Sequence, residues 1–398
     1  FIKKTAPTVV GPVDGEGGTA SGVWTLDQVA DYEKQGLWPR PSVPRQIWGF
    51  GFNGYGQIGD GTTTDRSSPV QVGALTNWSK IAPQSEGYIA VKSDGTLWSW
   101  GRNDIGQLGQ GNTTSYSSPV QVGALTTWAT VGAGNDNGYA IKTDGTLWSW
   151  GNDSEGALGQ GTNDSHLSSP VQVGALTNWS QVSGGENFAG AIKTDGTLWT
   201  WGFGSTGRLG DGTTVSKSSP VQVGALTTWA RLSASGNFCL ATTTDGKLYA
   251  WGNGAQGQLG QGNTTSYSSP VQVGSLTTWD YAGSAQANAL VIKTDGTLWA
   301  WGFNAYGNLG LGNTTYYSSP VQVGALTTWA KVEGPSGSTS AVKTDGTLWS
   351  WGNNSSGQLG QGNTTSYSSP VQVGALTSWY VIATNSGASD YVLATIRS

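Results

Sequence analysis

The sequence predicts an all-β fold, a seven-bladed β-propeller of four-stranded blades, on three observations. The heptapeptide Ser-Ser-Pro-Val-Gln-Val-Gly recurs seven times, with its proline at Pro69, Pro119, Pro170, Pro220, Pro270, Pro320 and Pro370. A tryptophan follows each copy, at Trp78, Trp128, Trp179, Trp229, Trp279, Trp329 and Trp379. A Thr/Ser-Asp-Gly turn comes next in six copies, at Asp94, Asp144, Asp195, Asp245, Asp295 and Asp345. A spacing of 50 or 51 residues marks a repeat architecture and overrides the two or three domains that the length alone suggests.

Within one unit, Thr130 to Ala133 and Tyr139 to Lys142 read as short strands. Asp144-Gly145 supplies a turn suited to positive φ between the second strand and Leu147-Trp148-Ser149-Trp150, the third. A loop rich in Gly, Asn, Ser and Thr follows. Pro170 to Val173 makes a fourth strand, in which proline requires a strand start or an edge. Four short strands make one blade.

The seventh unit ends early. After Trp379 it supplies only two strands, around Val381 to Ala383 and Tyr391 to Ile396, while Ile47-Trp48-Gly49-Phe50-Gly51 matches Leu97-Trp98-Ser99-Trp100-Gly101 position for position. N-terminal strands are therefore expected to complete the last blade and close the ring without an open edge. Nineteen tryptophans recur at three positions of the repeat, with Phe50 and Tyr249 in the two gaps. Such regularity reads as core, because a ligand platform would not need one ring of each kind in every blade.

Composition excludes several function classes. A formal charge of −5 without a Lys/Arg cluster argues against nucleic acid as a partner, and no apolar run is long enough for membrane insertion. Phe1-Ile2-Lys3-Lys4 is not followed by the apolar stretch of an export signal. Catalysis finds no constellation: His166 is the single histidine and sits in a polar loop, and Cys239 beside Phe238 reads as a small buried hydrophobe. The Asp-Gly pairs are turn chemistry without the Asp-x-Asp-x-Asp-Gly pattern of a calcium loop. Loops such as 357–362 lack the lysine and following helix of a phosphate cradle. No enzyme, cofactor or metal is expected.

The copies differ most in two stretches. One lies between the first two strands and includes Gln84, Glu86, Asp136, Asn137, Glu186 and Phe188; the other follows the third strand and includes Tyr55, Ile105 and Tyr306. Unconstrained drift would produce such variation, and so would a recognition surface on a rigid scaffold, which makes these residues the binding candidates.

Residues 1–45 form an arm outside the repeats, and 46–398 form the propeller. Thr25 and Gln28 make a capping box, with Trp24 able to pack on Val29. A helix over about 26–35 should stop at Gly36, before Pro39. Trp24, Leu26, Val29 and Trp38 are the apolar residues with which the arm would attach to a partner.

The unit 344–362, Thr-Asp-Gly-Thr-Leu-Trp-Ser-Trp-Gly-Asn-Asn-Ser-Ser-Gly-Gln-Leu-Gly-Gln-Gly, closely resembles the repeat of the regulator of chromosome condensation family. The resemblance spans 46–398 and implies a seven-bladed propeller closed by both termini. That family includes a guanine-nucleotide exchange factor, ubiquitin-ligase modules and a secreted β-lactamase inhibitor, so it does not fix one function. Its repeats commonly carry a histidine seven residues before the turn aspartate; here that position holds Gly87, Asn137, Phe188, Phe238, Asn288, Ser338 and Ala388. The repeats also vary in length by one residue only, leaving no counterpart of the exchange factor's wedge-like insertion. Both departures weigh against exchange activity.

The segment from Gly17 to Pro39, with its Gly-Val-Trp-Thr-Leu start and Gly-Leu-Trp-Pro end, resembles segments of bacteriophage tail-fibre and other virion proteins. This resemblance implies a virion structural or binding protein displayed on the particle surface. The arm would join other virion proteins, and the propeller would face a host-surface protein or glycan during host attachment. The alternative is a bacterial surface or secreted protein-recognition module, placed at the cell surface or outside the cell.

Overall fold

The structure, a computed structural model, describes residues 45–163, 166–284, 286–335, 337–384 and 391–397. The arm, with the helix expected over 26–35 and with Trp24, Leu26, Val29 and Trp38, lies outside the described residues. Twenty-eight described strands form seven four-stranded antiparallel sheets, each one blade of a propeller. Blades 1 to 6 span 78–121, 128–172, 179–222, 229–272, 279–322 and 329–372. Blade 7 takes Trp379–Thr384 and Tyr391–Arg397 from one end of the chain, and Arg45–Gly51 and Arg66–Gln71 from the other. The expected closure is present, with pairing continuous from Arg45↔Arg397 to Gly51↔Tyr391.

In blade 1 the strands Trp78–Pro83, Gly87–Lys92, Leu97–Gly101 and Tyr116–Gln121 run in order from the axis outward. Two boundaries differ from expectation. Each blade starts at its tryptophan, because a bulge immediately after it, such as that between Trp128 and Thr130, lets the indole join the ladder. The outer strand of blade 2 is Leu167–Gln172, so Pro170 lies inside it rather than at its start. The strand is an edge and its register shifts between Leu167 and Val171, which leaves the missing proline N–H without consequence.

The core lies in the seams between blades. Seven apolar clusters each combine residues of two neighbouring blades; one joins Phe188, Leu198 and Leu209 of blade 3 to Trp229, Leu232 and Trp251 of blade 4. Within the seams the inner tryptophan of each blade is also a hydrogen-bonded staple. Trp100, Trp150, Trp201, Trp251, Trp301 and Trp351 are fully buried and donate Nε1–H to carbonyls of Gln57, Gln107, Ala157, Arg208, Gln258 and Asn308 in the preceding blade, at 2.9–3.1 Å. Phe50 takes this place in blade 7 and keeps only the packing. Gly109 shows how tight the seam is: its φ is +72°, and a Cβ there would lie 2.8 Å from Trp150 Nε1.

One tryptophan position departs from the core reading. Trp98, Trp148, Trp199, Trp299 and Trp349 are half-buried, and in each case a lysine of the second strand lies over the ring, Lys142 at 3.6 Å from the Trp148 centroid. The cation packs over an aromatic ring that is left partly outside the seam. Blade 7 is locked to blade 1 by Tyr391, whose hydroxyl donates to the Gln84 carbonyl at 2.6 Å and accepts from the Gly87 N–H at 2.9 Å.

Candidate binding face

Antiparallel strands bring the two variable stretches together. The second strand starts, and the third ends, at the same end of the blade, as the pair Gly87↔Gly101 shows. Gly101 has φ +107°, and a Cβ there would lie 2.3 Å from the Glu86 carbonyl oxygen, so the chain turns where only glycine fits. The next residue then bonds back, Arg102 N to Glu86 O at 2.8 Å. The same backbone link joins Asn152 to Asp136, Phe203 to Asn187, Asn253 to Asn237, Phe303 to Ala287 and Asn353 to Gly337. Six blades therefore present their two variable loops side by side on one end of the ring, here called the loop face.

Backbone bonds also run between blades. Ser85 N donates to Asn135 O, Asn135 N to Gly185 O and Glu186 N to Gly236 O. In blades 1, 5, 6 and 7 the longer loop is built around a buried asparagine, Asn103, Asn304, Asn354 or Asn53: Asn103 Nδ2 donates to the carbonyls of Asn112 and Thr114, and its Oδ1 accepts from Leu108 N. Side chains on this face can thus vary without loosening it.

The structure separates the nine sequence candidates. Tyr55 and Tyr306 are exposed, and Ile105, Glu86, Asp136 and Glu186 are half-buried at the face. Gln84, Asn137 and Phe188 are not surface residues. Gln84 is buried and donates to the Gln107 carbonyl at 2.7 Å; Asn137 is buried with Nδ2 on the Asn152 carbonyl; Phe188 belongs to the seam between blades 3 and 4. The reason is common to the last two: they stand at the first position of the second strand, where the side chain turns inward. Gln84 precedes that position but its side chain folds back beneath the loop.

Around the remaining candidates two clusters form. Arg102 lies 2.7 Å from Glu86 and 2.6 Å from Asp104, with its guanidinium 5.6 Å from the Tyr55 ring centroid. Hydrogen bonds donated to Asp104 and Glu86 hold Arg102 above its ordinary range. Burial pushes the nearby Asp136 carboxyl up; Arg102 opposes this, while Glu86 and Asp104 add to it. This side of the face is acidic and carries an exposed tyrosine. On blade 5, Phe303 packs against Tyr306 at 5.9 Å and Tyr316 at 5.1 Å, with both tyrosines exposed. Arg102, Asp104, Phe303 and Tyr316 were missed by sequence reasoning. Arg102 and Phe303 carried a signal as the residue after each Trp-Gly or Phe-Gly pair, which changes through Phe52, Arg102, Asn152, Phe203, Asn253, Phe303 and Asn353; Asp104 and Tyr316 do not stand at that position.

Residues weighed for chemistry sit elsewhere. His166 is exposed. Cys239 is fully buried in a seam, and burial pushes its thiol well above the ordinary range. Among the described residues no three His, Cys, Asp or Glu side chains gather as a metal site requires, and no helix is long and apolar enough to cross a membrane.

Comparison with known proteins agrees with this architecture. The model of the regulator of chromosome condensation (RCC1) repeat matches residues 46–82, 94–141, 144–192, 195–242, 245–281, 295–342 and 345–390, and a second model of that repeat matches 229–258. No curated protein matches the chain. Among solved structures, human WBSCR16 superposes with a TM-score of 0.78 at 20% identity, over 90% of this chain and 99% of that one. Prp20p from Saccharomyces cerevisiae, described together with its binding to Gsp1p and histones, gives 0.77 at 18% identity, over 89% and 92%. Yeast RCC1 (Prp20) bound to Kap60 gives 0.77 at 18% identity, over 89% and 90%. At these identities the likeness is one of fold, but the repeat models cover most of the chain: it belongs to the RCC1 repeat family.

Proposed function

We propose that the propeller is a recognition scaffold whose loop face binds a protein partner. The observation that carries this reading is the convergence of both variable loop sets on one end of a ring whose other parts are nearly identical. Exposed aromatic residues beside a charged cluster are the composition from which interface anchors are drawn. The relative Prp20p, also called yeast RCC1, is described as binding the proteins Gsp1p, histones and Kap60, which supports a protein as the class of partner while leaving its identity to this chain's own loops.

The finer reading is a virion component displayed on a bacteriophage particle, with residues 1–44 joining the particle and the loop face directed at a host-surface protein or glycan. Its support is the resemblance of the segment 17–39 to tail-fibre and virion proteins. Mass spectrometry of purified particles should find the chain, and a chain beginning at Arg45 should fold but no longer assemble on them. Detection only in uninfected host cells, or with an export signal preceding Phe1, would overturn the virion reading in favour of a bacterial surface or secreted module.

A further inference from the structure

The axis of the ring holds a second pattern of variation. The innermost strands surround a cavity of about 360 Å³. Two residues after each innermost tryptophan the sequence reads Lys80, Thr130, Gln181, Arg231, Tyr281, Lys331 and Val381. The residue that follows stays apolar, as Ile81, Val131, Val182, Leu232, Ala282, Val332 and Ile382. Lys80, Gln181, Arg231 and Tyr281 line the cavity, joined by Glu333 from blade 6. Lys331 lies 4.7 Å from the Tyr281 ring centroid, and the Arg231 guanidinium lies 5.9 Å from it.

Cations from blades 1 and 4 thus line one cavity, and Lys331 of blade 6 stands over the Tyr281 ring beside it, in a chain whose net charge is −5. No ion pair among the described residues engages Lys80, Arg231 or Lys331. The single carboxylate on the cavity wall, Glu333, accepts the Tyr281 hydroxyl. Burial pushes the Lys331 ammonium down and repulsion from Arg231 and Lys80 adds to that, while attraction to Asp280 and Glu333 opposes it. Excess positive charge along a cleft with low-dielectric walls concentrates anions, and guanidinium and ammonium groups bind carboxylate and tetrahedral oxyanions through charge-assisted hydrogen bonds.

From the geometry we infer that the axial cavity is a binding site for a small free oxyanion, carboxylate or tetrahedral, held by Arg231 and Lys80 with Lys331 and Tyr281 behind them. The site goes beyond the loop-face reading and does not depend on it. Glu333 would oppose the ligand when ionised. The groups facing it are the Tyr281 hydroxyl from the blade-5 strand and Lys331 from its own strand; Ser340 pairs opposite it, and Val381 and Ala383 stand at the corresponding positions of blade 7. Burial pushes the Glu333 carboxyl up to about 7, against the Tyr281 hydrogen bond and Lys331. Oxyanion binding should therefore weaken as pH rises through 7.

The test is calorimetric titration of the full chain with sodium sulfate, and separately with sodium acetate, against sodium chloride at matched ionic strength. Saturable binding of either oxyanion is expected, and the one bound more tightly distinguishes a tetrahedral from a carboxylate ligand. Arg231→Gln should weaken it about tenfold or more, the worth of one charged hydrogen bond, and Lys80→Gln somewhat less. Both side chains are solvent-reached, so the variants should keep the parent circular dichroism. Glu333→Gln should tighten binding at pH 8 and remove its pH dependence. Absence of saturable binding, or equal affinity in the parent and a folded Arg231→Gln Lys80→Gln double variant, would overturn the proposal.

Discussion

The two ends of the propeller are held by hydrogen bonds of different kinds. At the end opposite the loop face, the Asp-Gly turns are closed by side chains: Thr146 donates its backbone N–H and Oγ1–H to Asp144 Oδ1 at 3.0 and 2.7 Å, and the Trp148 indole donates to Thr146 Oγ1 at 2.9 Å. The same chain of bonds occurs at Asp94, Asp195, Asp295 and Asp345. At the loop face the bond shared by six blades runs between backbone groups, as from Arg102 N to Glu86 O, and the side chains that recur there are buried asparagines, Asn53, Asn103, Asn304 and Asn354, beneath the surface. A turn that needs particular side chains repeats its sequence; a loop closed by its backbone leaves them available for binding.

Blade 4 tests this logic within the molecule. There the outer tryptophan is Tyr249, which has no indole N–H, and the threonine that would accept it is Lys247. The displaced threonine appears at Thr243, where other blades carry the lysine, and donates its hydroxyl to Asp245. Lys247 pairs with Asp245 at 2.7 Å. Three positions change together because they share one network, as interacting sites are expected to do.

The largest effect should come from a seam, which both ends depend on. Trp201→Ala removes a fully buried ring and its bond to the Ala157 carbonyl, and should cost about 3–5 kcal/mol in urea denaturation. Trp201→Phe imitates blade 7 and should recover most of that packing.

A smaller effect is expected at the turn end. Thr146→Val breaks the link between Asp144 and Trp148 and should cost about 1 kcal/mol. The hydrogen bonds from Thr146 are also the main reason that the Asp144 carboxyl lies below its ordinary range. A carboxylate depressed in the folded state adds stability above its unfolded pKa, and that contribution is lost as pH falls through the folded value. Thr146→Val should therefore return Asp144 toward its ordinary titration in NMR and reduce the stability lost on acidification; an unchanged titration would mean that the threonine does not hold the turn.

The smallest effect on stability belongs to the loop face. Tyr306→Ser, at an exposed site, should change stability by no more than about 0.5 kcal/mol, yet it should weaken capture of the protein partner in pull-down. A large loss of stability would show that the aromatic cluster with Phe303 and Tyr316 is structural, and the contrast between the ends would fail.

Much of this was legible without coordinates because the repeat is local chemistry. Seven copies of one heptapeptide, a glycine at each tight turn and the split seventh unit specify the blade number and the closure by both termini, since an unpaired blade would leave an open edge. Local chemistry also exposed the two variable stretches. It did not show that Asn137 and Phe188 point inward, because one residue of strand register decides on which side a side chain lies, or that the Gln84 side chain folds back onto the Gln107 carbonyl. Nor did it bring Arg102 to Tyr55 from the neighbouring blade, or gather Lys80, Arg231, Tyr281 and Glu333 around one cavity. These residues stand as many as 253 positions apart in the chain, and only closure of the ring, which places every innermost strand on the same axis, makes them neighbours.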